Sequence, residues 1–94
     1  MTTTGFGNSA FGYQALASNT TGTRNVAVGH QSLQKNTFGN NNSAFGSNVL
    51  YNNTTGSDNT GVGYTALNQN TIGSNNTALG KEAMFYNTTG SNNV

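Results

Sequence analysis

The sequence predicts an all-β fold, a parallel β-solenoid in which every 17 residues complete one coil. Three observations predict it. The segments beginning at Ser9, Val26, Ser43, Thr60 and Thr77 align without a gap at a spacing of 17 residues. Every copy has Gly at its fourth and fourteenth positions and Asn at its eleventh and seventeenth. Asn, Thr, Gly and Ser make up 54 of the 94 residues, against 32% hydrophobic and 5% charged, which leaves little material for a conventional core.

The period settles the class of repeat. Residues 9–25, 26–42, 43–59, 60–76 and 77–93 form five full copies, residues 1–8 fit the tail of a preceding copy through Thr3-Thr4-Gly5 and Asn8, and Val94 opens another. The chain therefore reads as a single repeat domain over 1–94. Seventeen residues are too few for the helix pair of a helical solenoid, whose repeats run above about 30 residues. Two glycines per copy would also weaken a helix by about 1 kcal/mol each relative to Ala.

Within one copy, positions one to three, such as Ser9-Ala10-Phe11, read as a strand, followed by a turn at Gly12. A second extended piece is expected through Ala15-Leu16, and Asn19-Thr20-Thr21-Gly22 turns the chain home. Glycine is expected where φ is positive or where the backbone meets its neighbour closely, and the recurring Asn is expected at the corners because it tolerates the left-handed region and bonds its own backbone in turns. Coils stacked at about 4.8 Å place identical residues above one another, so Asn19, Asn36, Asn53, Asn70 and Asn87 are expected to form an amide ladder.

Side chains alternate across a strand, so the small column Ala10, Ala27, Ala44, Gly61 and Ala78 points opposite to Phe11, Val28, Phe45, Val62 and Leu79. The small column suits a narrow interior, filled from the far side by Leu16, Leu33, Leu50, Leu67 and Met84. The larger column is then left outside as an apolar stripe, the kind of surface that marks an interface. A stack of five coils, about 24 Å tall, has a thin core, and burying this stripe against sister chains contributes roughly 1.5 to 3 kcal/mol per side chain. A homo-oligomer joined along the stripe is the expectation.

Composition excludes several function classes. The chain has low hydrophobicity but no Pro and a formal charge of +1, which does not fit simple disorder. Three basic residues against two acidic ones leave no electrostatic footprint for nucleic acid or an anionic membrane. There is no Cys, hence no disulfide or thiolate metal site, and no apolar run long enough to span a bilayer. The start, Met1-Thr2-Thr3-Thr4-Gly5, lacks the basic and apolar regions of a signal peptide. The expectation is a protein made without a cleavable signal that reaches the outside as part of a larger particle.

No enzyme, cofactor or metal site is expected. Gly5-Phe6-Gly7-Asn8-Ser9-Ala10 and Gly61-Val62-Gly63-Tyr64-Thr65-Ala66 match G-x-G-x-x-A, but a dinucleotide site needs a βαβ unit around it, and here the match is a by-product of the repeat. His30 is the only His, and with one Asp and one Glu it makes neither a hydrolytic triad nor a metal cage within one chain. The calcium-binding solenoid repeat needs a recurring Asp, and Asp58 stands alone. The glycosylation sequons at Asn19, Asn53 and Asn87 fall in turns where Asn is wanted anyway. Tyr13 and Tyr64 beside the glycine corner, with Tyr51, Phe85 and Tyr86 after the Leu column, are the candidates for contact with a surface glycan or partner, against lateral packing within an oligomer.

The runs Asn8-Ser9-Ala10-Phe11-Gly12, Asn42-Ser43-Ala44-Phe45-Gly46 and Asn76-Thr77-Ala78-Leu79-Gly80 resemble the head repeat of YadA-like trimeric autotransporter adhesins. The longer form, with Tyr13-Gln14-Ala15-Leu16 and Asn19-Thr20-Thr21-Gly22, also resembles repeats of phage tail fibres and other virion proteins. The resemblance implies a left-handed β-roll and a homotrimer of three rolls around a common axis. The period exceeds the roughly 14-residue adhesin unit, and these residues read as neither stalk, anchor nor signal, so the expectation is a virion component: tail fibre, spike or capsid decoration. The competing class is a binding module, either a glycan- or receptor-binding adhesin or an ice-binding solenoid. For the latter, Phe38 and Ile72 interrupt the Thr21, Thr55, Thr89 column in alternate coils.

Overall fold

The computed structural model describes residues 4–94; Met1, Thr2 and Thr3, which open the partial copy 1–8, lie outside the described residues. The fold is an all-β solenoid of about four turns with one short strand per coil. The strands are β1 (Ser9–Phe11), β2 (Val26–Val28), β3 (Ser43–Phe45), β4 (Thr60–Val62) and β5 (Thr77–Leu79). They form a single parallel sheet in the order β1-β2-β3-β4-β5. The register follows the repeat, with Ala27 opposite Ala10 and Ala44 and every other strand residue opposite its equivalent.

The expected second extended piece is not a strand. From Gly12 to Asn19 the chain runs through linked turns, with Ala15 N–H donating to Gly12 O (3.2 Å), Ala17 N–H to Gln14 O (3.3 Å) and Asn19 N–H to Leu16 O (3.2 Å). The third residue of the first two turns has positive φ, 58° at Gln14 and 54° at Leu16, the pattern of type II turns. Intervening residues bond between coils: Leu16 N–H donates to Ser32 O, and Gln31 N–H to Tyr13 O. The physical reason is circumference. At about 3.3 Å per residue, a fully extended 17-residue loop would enclose far more space than one Leu and one Ala can fill. Folding its far side into turns shortens the contour until those side chains meet.

This geometry places leucines in the left-handed region, at φ 51° for Leu33 and 53° for Leu50 and Leu67. A non-glycine residue there costs about 1 kcal/mol or more, and full burial of each leucine offsets it. Position sixteen is also left-handed, at Arg24, Asn41, Asp58, Asn75 and Asn92, three of them Asn. The two invariant Asn columns do not have positive φ; their amides point inward.

The interior has two parts. On the apolar side Ala27, Ala44 and Ala78 pack with Leu16, Leu33, Leu50 and Leu67, while Met84 in the last coil is half-buried and Ala10 in the first is exposed. On the polar side, Asn36 Nδ2 donates to Asn19 Oδ1 (3.0 Å), Asn53 to Asn36 (2.8 Å), Asn70 to Asn53 (2.9 Å) and Asn87 to Asn70 (2.9 Å). Each of these amides also donates to the glycine carbonyl of its own coil, as Asn53 does to Gly56 O (2.9 Å). The position-seventeen column supplies that carbonyl with a second amide, Asn42 Nδ2 to Gly56 O at 2.9 Å, and Asn42 Oδ1 accepts Asn59 N–H at 3.0 Å. A polar core results in which side chains and backbone satisfy one another.

The two glycine columns answer different needs. Gly12, Gly29, Gly46, Gly63 and Gly80 have φ between 119° and 129°, outside the range of L side chains. Gly39 and Gly56 have ordinary φ, but a Cβ would fall on the carbonyl oxygen of the next glycine in the stack and on the neighbouring Asn Oδ1.

Candidate functional site

With both inner surfaces committed, what each coil offers outside is the face of its strand and the rims of its turns. The five-stranded sheet carries Phe11, Val28, Phe45, Val62 and Leu79 in one straight column directed away from the core. Phe11, Phe45, Val62 and Leu79 are 67%, 43%, 39% and 69% exposed, and Val28 is half-buried. Parallel pairing forces this alignment, because register by whole coils stacks like upon like. Beside it run the half-buried Val26, Ser43, Thr60 and Thr77 at position one, on the same face of the sheet.

The aromatic candidates do not converge. Tyr13 is exposed and stacks on His30, with ring centroids 5.2 Å apart and planes 15° from parallel. Tyr64, two coils beyond His30 in the same column, is also exposed. Tyr51 is half-buried with Lys35 Nζ 5.3 Å from its ring centroid. Phe85 and Tyr86 meet edge to face at 4.8 Å, with Tyr86 85% exposed. These are separate spots on the turn side, not one cleft. Two cavities, of about 380 and 280 Å³, are lined by residues of the first and last coils, and none of these five aromatics lines either of them.

No protein-family model, curated protein or solved structure matches the chain. The site is therefore defined by its own residues and geometry.

Among the described residues, no group of three His, Cys, Asp or Glu side chains is placed to hold a metal ion, and no helix is long and apolar enough to cross a membrane. The sequon amides of Asn19, Asn53 and Asn87 all donate to glycine carbonyls, and Asn19 and Asn53 are buried, so the nitrogens of these two face the interior. Thr20, Thr37, Thr54 and Thr71 turn their hydroxyls onto carbonyls of the next coil, at 3.1 to 3.4 Å, which removes them from an outward array.

Two further features stand out. Phe38 and Ile72, the two apolar members of the position-thirteen column, are 56% and 55% exposed and alternate there with the exposed Thr21, Thr55 and Thr89. Val49 is fully buried against Gly61, where a Cβ would lie 2.7 Å from Val49 Cγ1. The second carries a signal in the sequence: the one Val in the column Ala15, Ser32, Ala66 and Ala83 faces the one Gly in a column of Ala.

Proposed function

We propose that this protein is a non-enzymatic structural component of a virion, a tail fibre, spike or capsid-decoration segment, in which three left-handed rolls associate along the Phe11 to Leu79 stripe. The observation that supports this reading is the exposed apolar column that in-register parallel pairing stacks along one sheet face. Burying such side chains against sister chains contributes roughly 1.5 to 3 kcal/mol each, which suits a thin core that gains from association. The surface of the particle is the place such a segment would occupy, and a larger particle protein its further partner.

Light scattering on purified protein should give three times the chain mass, and Phe45→Asp with Val62→Asp should give folded monomers. A wild-type chain that stays monomeric at high concentration overturns the reading. The exposed Tyr13–His30 stack favours a second reading, a glycan- or receptor-binding adhesin. Glycan-array binding that Tyr13→Ala abolishes while the oligomer persists would establish it.

A further inference from the structure

We infer that subunits join through two different columns, the Phe11 to Leu79 stripe of one copy seated on the position-thirteen column of the next, and this rests on the oligomeric reading above. The two columns alternate in size in opposite phase. Val28 and Val62 share their coils with Phe38 and Ile72, whereas Phe11 and Phe45 share theirs with Thr21 and Thr55. Packing within a chain does not account for this, because Phe11, Phe45, Phe38 and Ile72 are all exposed and meet no common core.

Between chains it has a direct use. A closed ring whose axis runs along the solenoid has no axial shift, so each coil faces the same coil of its neighbour. Residues of one coil differ in height by less than one step of about 4.8 Å, within side-chain reach. Phe38 then projects over the small Val28, Ile72 over Val62, and Phe11 and Phe45 over threonines, filling the gap evenly at every level. Seating the stripe on its own kind would instead set Phe on Phe and Val on Val, alternately crowded and hollow. The interior obeys the same rule of compensated volume at Val49 and Gly61. The occupant is a second copy of this chain, and the interface is heterologous.

The test is the oligomer's dissociation, read by native mass spectrometry across a dilution series for the wild type, Val28→Phe, Phe38→Val, and the exchange of both. Circular dichroism confirms that each variant folds. Val28→Phe should raise the dissociation concentration at least about tenfold by overfilling the joint, and the exchange should bring it back close to the wild type. An exchange no better than Val28→Phe alone, or a Val28→Phe variant that assembles as well as the wild type, overturns the pairing while leaving the oligomer standing. A wild-type monomer overturns both the pairing and the oligomeric reading.

Discussion

The two sides of each coil are held in different ways. On the polar side the same residues recur in every copy, Asn at positions eleven and seventeen and Gly at fourteen. On the apolar side position seven reads Ala15, Ser32, Val49, Ala66 and Ala83 without disturbing the register. Directional bonds explain the contrast. An amide that must reach a carbonyl of its own coil at 2.9 Å and the amide oxygen of the preceding coil at 2.8 Å has one workable shape, whereas apolar contact asks only that volumes sum correctly. Invariance in this chain therefore tracks hydrogen-bond geometry more closely than it tracks burial.

The sharpest break of that contrast is Gly56→Ala. The added methyl falls on Gly73 O and Asn53 Oδ1, both fixed by the stack, so two coils must part. A loss above about 4 kcal/mol is expected, measured by urea unfolding, with hydrogen-exchange protection lost first in the coils on either side. A loss below about 1 kcal/mol would mean that the corner is more yielding than its invariance implies. Asn53→Leu should follow in size. It removes the donors to Asn36 Oδ1 and Gly56 O and the acceptor for Asn70 Nδ2, at about 1 to 3 kcal/mol for each partner left alone. Gly56 O keeps the amide of Asn42, so the cost stays below that of the glycine change.

Much of this architecture is legible in the sequence because repetition converts spacing into contact. A gap-free period makes Asn36 the neighbour of Asn19 and Asn53 as soon as the coils stack, and strand alternation separates Ala27 from Val28. The far side is not legible. Nothing in Tyr13-Gln14-Ala15-Leu16 announces positive φ at Gln14 and Leu16, since neither residue favours that region and the closure of the whole coil imposes it. The stripe can be placed on the outside from alternation alone, while the exposure of Phe38 and Ile72 depends on the path of the returning turn. The aromatic candidates look like one set in sequence and are separate spots in space, because positions five, nine and ten point from different parts of the turn chain.

The smallest expected effect sharpens the apolar half of the comparison. Gly61→Ala places a methyl 2.7 Å from Val49 Cγ1, with the Ala66 Cβ 3.7 Å away, and should cost about 1 to 3 kcal/mol as overpacking. Val49→Ala leaves a hole beside Gly61 and should cost a similar amount. The double variant recreates the pairing of two alanines already present at Ala15 with Ala27 and at Ala66 with Ala78. Its cost should fall well short of the sum, with a coupling of about 1 to 3 kcal/mol in a double-mutant cycle. Additive losses would mean that Val49 and Gly61 are independent, and that volume on this side is no more exchangeable than the amides opposite.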